Sequence, residues 1–336
     1  MDEFAIIARY FAPIAGPGGL GLQDDAAKIK PPAGHDLIIT TDALVADVHF
    51  FADDPADSLA RKALGVNLSD LAAKGADPLG FVLSLMMPAD LPESWIAAFA
   101  ASLGLASQAA KCPLLGGDTV VTPGPLSLSL TLFGSVPEGR MVRRGGARTG
   151  DRLYVTGSIG DGAIGLQARL AERTGKPWPL TVDHREFLRN RYLVPRPRGA
   201  IAAALRSHAH AGMDVSDGFV GDLSTMLHLA GLGADIQLAD VPHSVAARAA
   251  IRHDPALQDV ALTGGDDYEV LAAVPADRSA AFQAECLATG VQVTEVGRVL
   301  SESAPIRFLD AQGKPKSFGK GSYVHGVAGP PKISEV

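Results

Sequence analysis

The 336 residues carry a formal net charge of −7, with 47% hydrophobic and 20% charged residues. That balance predicts a globular chain with a core of good size and disfavours a nucleic-acid coat. The two cysteines, Cys112 and Cys286, lie far apart without metal-site spacing, and nowhere do ~18 apolar residues run together, which excludes a disulfide framework, a cysteine zinc site and a membrane-spanning helix.

At ~150 residues per domain, the length suggests about two domains. The opening MDEFAIIARYF starts acidic with no basic stretch, so no signal peptide is expected, and the compartment expected is the cytoplasm. Residues 2–12 have the spacing of a short amphipathic helix. Gly16-Pro17-Gly18-Gly19-Leu20-Gly21 predicts a loop running into Asp24-Asp25. Such glycines let a backbone approach a ligand, or they make a mobile loop with a solvated acid pair.

Leu37-Ile38-Ile39 predicts a buried strand ending on Thr40-Thr41-Asp42, with His49 one loop later. Oxygen donors at a strand end suit Mg²⁺, while an Asp capping the next helix is the plainer reading. Residues 56–74 predict a helix stopped by Gly75-Ala76-Asp77-Pro78. Asn67, Asp70 and Lys74 share a face away from its apolar stripe, so Asp70 either meets solvent or points at the same site as Asp42. A strand over 79–87 and a helix over 92–110 follow. An apolar run then ends on Gly116-Gly117-Asp118, and Leu alternates with Ser and Thr over 126–133, which predicts a half-buried strand.

Arg140-Met141-Val142-Arg143-Arg144-Gly145-Gly146 reads as a linker or as a phosphate clamp, since the Arg fork matches phosphate geometry. A strand over 152–156 leads through glycines into a helix from Ala163, without the spacing of a dinucleotide fingerprint. Helices are expected over 183–193, 201–210 and 220–230. Before the last of these, Asp214, Ser216 and Asp217 put three oxygen-bearing side chains in four residues. Residues 260–267 repeat the plan of an apolar run, Gly-Gly, then acid, and a strand is expected over 268–274. The repeat suggests weak similarity between the two halves.

Asp24-Asp25, Asp42, Asp70, Asp118, Asp214, Asp217 and Asp266-Asp267 together suggest an acid-rich pocket, which divalent cations would have to fill because like charges repel. There is no H-E-x-x-H, no G-x-S-x-G and no Walker loop. Carboxylates without a nucleophile motif favour metal-assisted phosphoryl transfer.

LQDDAA, TTDALVADVHF, KALGVNLSDLAAKGADP, LLGGDT, MDVSDG and TGGDDYE, in this order, closely resemble the thiamine-monophosphate kinase family. That family lies in the superfamily of aminoimidazole-ribonucleotide synthetase, selenophosphate synthetase and a hydrogenase-maturation protein. The resemblance implies an α+β fold. An N-terminal ATP- and metal-binding α+β domain, residues 1–140, would contribute to a dimeric β-barrel. A C-terminal α/β domain with a ferredoxin-like sheet would cover residues 148–326. It implies ATP-dependent phosphorylation of thiamine monophosphate to thiamine diphosphate, several Mg²⁺ ions, and a cytoplasmic homodimer without nucleic-acid or membrane partners.

Matched residue by residue, the metal positions are Asp25, Thr40, Thr41, Asp42, Asp70, Asp118, Asp214 and Asp217, with Asp42, Asp70 and Asp214 central to catalysis. Gly117, Asp118, Arg144 and Ser216 match ATP contacts. His49, Asp266 and Tyr323 match substrate contacts. Two positions depart from the family pattern: Asp266 stands where a Glu is usual, and Ser322 is inserted before Tyr323. Another ATP-dependent synthetase or a nucleotide-binding maturation protein of the superfamily is the alternative. The first Cys at 112 and the ending KISEV, which lacks Cys, speak against both.

Overall fold

The structure, a computed structural model, describes residues 3–319, 321 and 322. Tyr323 lies outside the described residues. The described residues form two units, one of residues 3–71 with 76–139, the other of 72–75 with 140–319, 321 and 322.

The first unit starts with a single α-turn, α1 (Glu3–Ile6), which runs on as a π-helical turn over Ile7–Phe11 and a 3₁₀ turn over Ala12–Ile14. One regular helix over 2–12 was expected; the segment instead widens into the π-helical turn and ends in the 3₁₀ turn that carries Pro13, which cannot continue α-helical hydrogen bonding. Then come β1 (His35–Val45), α2 (Ala56–Ala73), β2 (Asp77–Pro88), α3 (Glu93–Ala110), β3 (Leu114–Thr122) and β4 (Ser127–Pro137). The sheet order is β1-β4-β2-β3, with β2 and β3 parallel and the other pairs antiparallel.

Alternation along the strands sorts the residues by face. Ile38, Leu44, Leu83, Leu85, Leu128, Leu130 and Leu132 pack into one core with Leu59, Ala63 and Leu64 of α2 and Ile96, Phe99 and Leu103 of α3. Burying each such Leu or Phe contributes about 1.5–3 kcal/mol. Leu37 and Ile39 of β1 lie on the other face, 38% and 59% exposed. Two expected strand ends are corrected here. β1 does not end on Thr40-Thr41-Asp42 but runs on to Val45, because β4 pairs with it in unbroken register from His35 to Val45. β3 likewise continues through Asp118, opposite Ser84 of β2.

The second unit contains β5 (Arg152–Thr156), α4 (Asp161–Arg173), α5 (Val182–Leu193), α6 (Ala202–His208), β6 (Ala211–Val215), α7 (Phe219–Ala230), β7 (Ala234–Gln237), α8 (Val245–His253), α9 (Leu257–Thr263), β8 (Glu269–Val274), α10 (Ser279–Ala288), β9 (Val293–Val299) and β10 (Ile306–Leu309). The sheet order is β10-β7-β9-β5-β8-β6. The four neighbours β9, β5, β8 and β6 are antiparallel throughout, a split βαβ arrangement with β7 and β10 added beyond β9.

Both faces of this sheet are covered. Leu153, Val155, Leu271 and Ala273 pack with Phe219, Leu223 and Met226 of α7. Their alternates Tyr154, Val270, Ala272 and Val274 pack with Leu205 of α6 and Phe282 of α10. The expected repeat between 113–119 and 260–267 does not extend to structure. Residues 114–118 are strand, whereas 257–263 form α9, whose Leu257 and Ala261 recur at helical spacing and bury against Leu188 and Ala247. A short apolar run fits either period, and its neighbours decide which is used.

Candidate active site

In the first unit, β1 points alternate side chains to opposite faces. Thr40 and Asp42 share the inner face with Ile38 and Leu44, and the Thr40 hydroxyl donates to Asp70 Oδ2 on α2. Thr41 points the other way, where it donates to Leu130 O at 3.1 Å and accepts from Thr131 Oγ1 at 3.0 Å. The structure therefore brings Thr40, Asp42 and Asp70 to one face and puts Thr41 on the other. Asn67, three residues before Asp70, is 1% exposed. Its Nδ2 donates to Ala63 O, while its Oδ1 has no hydrogen-bond partner among the described residues. His49 sits in the turn after β1 and accepts the Val45 N–H on Nδ1 at 3.0 Å, so the neutral ring carries its proton on Nε2.

Asp24, Asp25 and Asp118 line one groove of about 360 Å³, with Gly116, Gly117, Ile7, Phe11 and Leu22. The glycine loop is laid along β3: Gly16 N–H donates to Leu114 O at 2.8 Å, and a Cβ at Gly19 would meet Leu115 O at 2.7 Å. This close approach explains the glycines and carries the two acids over Gly116–Asp118. Gly117 is itself required by packing, since a Cβ there would lie 1.9 Å from the Leu83 carbonyl oxygen.

In the second unit, β6 delivers Asp214, 3% exposed, and the chain turns through Ser216 and Asp217 into α7. Asp266 lies on the facing loop, with its N–H donating to Ser216 O at 2.9 Å, and Tyr268 N–H donates to Val215 O at 2.8 Å. Asp214, Ser216, Asp217 and Asp266 thus share one corner of this unit. Arg144 is exposed, in a 3₁₀ turn over Arg144–Gly146.

Behind this corner lie buried groups of which the sequence singles out only Asp267, as one of the acids expected to line a pocket. Asp222 Oδ2 accepts from the N–H groups of Asp217 at 3.0 Å and Gly218 at 3.1 Å, and burial pushes its carboxyl up to about 7. Asp267 is fully buried and accepts from Gly160 N–H at 2.7 Å and Gly162 N–H at 3.0 Å. Burial, and then the neighbouring Asp161, hold its carboxyl well above the usual range. Burial also raises Asp161, which Ser158 and Ser244 bond. Glu269, fully buried, meets Arg191 Nη2 at 3.0 Å, Arg198 Nε at 2.6 Å and Thr156 Oγ1 at 2.6 Å. For Glu269 the one signal in the sequence is its odd placement at the head of the otherwise apolar strand EVLAAV.

Among the described residues, no three His, Cys, Asp or Glu side chains are grouped closely enough to hold a metal ion. The donors present are hydroxyl, carboxylate and amide oxygens, the set preferred by Mg²⁺.

The sequence matches the AIR synthase related proteins, their N-terminal domain over residues 23–136 and their C-terminal domain over residues 148–309. A thiamine-monophosphate kinase of Escherichia coli K12 is 40% identical over 330 residues, 96% of this chain and 98% of that protein. The chain belongs to the thiamine-monophosphate kinase family. Its relative in Caulobacter vibrioides is also 40% identical, over 300 residues covering 88% of this chain and 83% of that protein. The solved thiamine-monophosphate kinase of Stenotrophomonas maltophilia superimposes with a TM-score of 0.81 at 35% identity, covering 94% of this chain and 98% of that one. AaThiL in complex with AMPPCP and TMP superimposes with a TM-score of 0.76 at 28% identity, covering 96% and 97%. A hydrogenase maturation protein at 19% identity and a TM-score of 0.76 shares the fold.

Proposed function

We propose that this chain is a thiamine-phosphate kinase, transferring the γ-phosphate of ATP to thiamine monophosphate to give thiamine diphosphate and ADP. The observation that carries the reading is 40% identity to a thiamine-monophosphate kinase along 96% of the chain. The AMPPCP and TMP bound by a relative of the same fold support ATP and thiamine monophosphate as the two substrates.

Mg²⁺ would be held by Asp25, Thr40, Asp42, Asp70, Asp118, Asp214 and Asp217, with Thr41 as a further position. When bound, it neutralises the crowded phosphate oxygens. The orphan Asn67 Oδ1, one helical turn from Asp70, supports an additional polar partner in that corner. Gly117, Asp118, Arg144 and Ser216 contact ATP; the exposed Arg144 fork suits phosphate. His49 and Asp266 contact thiamine monophosphate, as does Tyr323, which lies outside the described residues.

An oxygen of the substrate phosphate forms the new bond to the γ-phosphorus in line as the bond from the γ-phosphorus to the β–γ bridging oxygen breaks and ADP departs with its electron pair. The attacking oxygen is already anionic at neutral pH, so positioning and charge neutralisation carry catalysis and no side chain need remove a proton.

The enzyme works as a homodimer in which the exposed sheet faces bearing Leu37 and Ile39 close a barrel across two copies. Its compartment is the cytoplasm: both cysteines are free and buried, which suits a reducing environment. Among the described residues no helix is long and apolar enough to cross a membrane.

The test is chromatography of the products of purified protein, ATP and thiamine monophosphate, with and without Mg²⁺. Thiamine diphosphate formed only with Mg²⁺ is expected. Binding of ATP without formation of thiamine diphosphate would remove the substrate assignment.

A further inference from the structure

Two buried carboxylates in the second unit do the same mechanical job on two different loops. Asp222 accepts from the N–H groups of Asp217 and Gly218, tying the 214–217 turn to α7. Asp267 accepts from the N–H groups of Gly160 and Gly162, tying the 264–268 loop to the start of α4. A carboxyl group that accepts backbone N–H groups at a helix N-terminus satisfies donors that the helix itself leaves unpaired.

The second loop needs holding. Asp266 has φ 70° and Tyr268 φ 52°, left-handed conformations that are costly for a non-glycine residue unless the surroundings enforce them. The enforcing contacts are specific. The carbonyl of Asp267, between the two strained residues, accepts from Arg191 Nη2 at 3.0 Å, and the same nitrogen reaches Glu269. Gly162 leaves room for the Asp266 backbone: a Cβ there would lie 2.2 Å from Asp266 O. The neighbouring acids are thereby assigned opposite tasks. Asp267 is turned fully inward, while Asp266 stays half-exposed at the corner it shares with Ser216.

We propose that Asp267, backed by Arg191, is a positioning residue that sets the loop displaying Asp266 to the thiamine monophosphate site, separately from the Asp222 clamp that sets the 214–217 turn. This rests on the reading of Asp266 as a substrate contact. It assigns discrimination of the acceptor to the α4–loop clamp and nucleotide and metal handling to the α7 clamp.

The experiment compares Asp267→Asn, Gly162→Ala and Asp222→Ala in the full chain, measuring KM for thiamine monophosphate, KM for ATP and kcat at saturating Mg²⁺. In Asp267→Asn the introduced amide can accept only one of the two N–H groups and turns a donor toward the other. KM for thiamine monophosphate should rise about tenfold in Asp267→Asn while KM for ATP stays within about twofold. Gly162→Ala keeps the N–H that Asp267 accepts but sets a methyl against the Asp266 backbone, and should give the same selectivity even where Asp267→Asn is poorly folded. Asp222→Ala should show the opposite selectivity. Combining Asp266→Asn with Asp267→Asn should add little to either alone, because residues acting through one contact are not additive.

Equal rises of both KM values in all three variants, or full additivity of Asp266→Asn with Asp267→Asn, would overturn the proposal. An Asp266→Asn variant with an unchanged KM for thiamine monophosphate would instead overturn the substrate reading beneath it.

Discussion

Glu269→Gln probes the buried scaffold behind the candidate site. Glu269 is fully buried at the head of β8 and holds two guanidinium groups, Arg191 with 3% and Arg198 with 21% of the side chain exposed. Gln keeps the shape but removes the charge, and its amide nitrogen turns a donor toward guanidinium donors. Breaking a buried pair by neutralising one partner costs about 3–5 kcal/mol, because the remaining charge stays buried. Arg191 has no route to solvent, and its Nη1 has no partner among the described residues. Arg198 can regain some water, which places the cost near the lower end, about 3 kcal/mol.

In a unit of 150–250 residues each kcal/mol moves Tm by about 2–4 °C, so the second unit should melt about 6–12 °C lower. The assay follows from composition. The chain has two tryptophans, Trp95 in the first unit and Trp178 in the second, so in a Trp95→Phe background the fluorescence of Trp178 reports the second unit. Asp235→Asn, which opens the exposed Arg307–Asp235 pair of the same unit, serves as the control and should shift the transition far less. A Glu269→Gln shift no larger than the control's would refute the reasoning that burial, rather than pairing as such, sets the value of this cluster.

Asp70→Asn should lose most of kcat while thermal unfolding stays near wild type, since the Thr40 hydroxyl can still donate to the amide oxygen; retained activity in the product assay would remove α2 from the metal-binding set. Asp267 also makes stability depend on pH. Its carboxyl is raised in the folded state, so its contribution is fully present below the ordinary Asp value of about 3.9 and is lost as pH rises toward the folded value. The difference in denaturant midpoint between wild type and Asp267→Asn should therefore shrink as pH increases from 4, and a difference that grows would show the sign to be wrong.

The sequence is most readable where chemistry and local period agree. Regular spacing locates α2 and alternation locates β4, and the helices expected over 92–110, 183–193 and 220–230 and the strand over 152–156 match α3, α5, α7 and β5. It misleads at Thr40-Thr41-Asp42, where hydroxyls and an acid look like a strand end. The strand continues only because β4, some ninety residues later in the chain, supplies eleven paired positions. Once the strand is known to continue, period two separates Thr40 from Thr41 without further information. A comparable long-range effect decides 257–263, where the partners of Leu257 and Ala261 come from α5 and α8.

The acids show the same limit in a form that matters for function. Asp266-Asp267 reads as a pair of equivalent carboxylates, and residue type gives no reason to separate them. Their separation comes from Gly160 and Gly162, more than a hundred residues earlier, whose N–H groups draw one acid inward and leave the other outside. Likewise Arg191 reads as part of a charged helix and Arg198 as part of a Pro-Arg helix stop, although both end on Glu269. What divides these residues is how their charge is satisfied. Asp222, Asp267 and Glu269 have buried partners that consume their acceptor capacity, so they hold backbone in place. Asp24, Asp25 and Asp118 line an open groove and Asp266 stays half-exposed, so these acids remain within reach of whatever enters. An acid-rich sequence of this kind therefore encodes both a binding surface and its own scaffold in one residue type, and the fold assigns each carboxylate to one role by burying it or leaving it open.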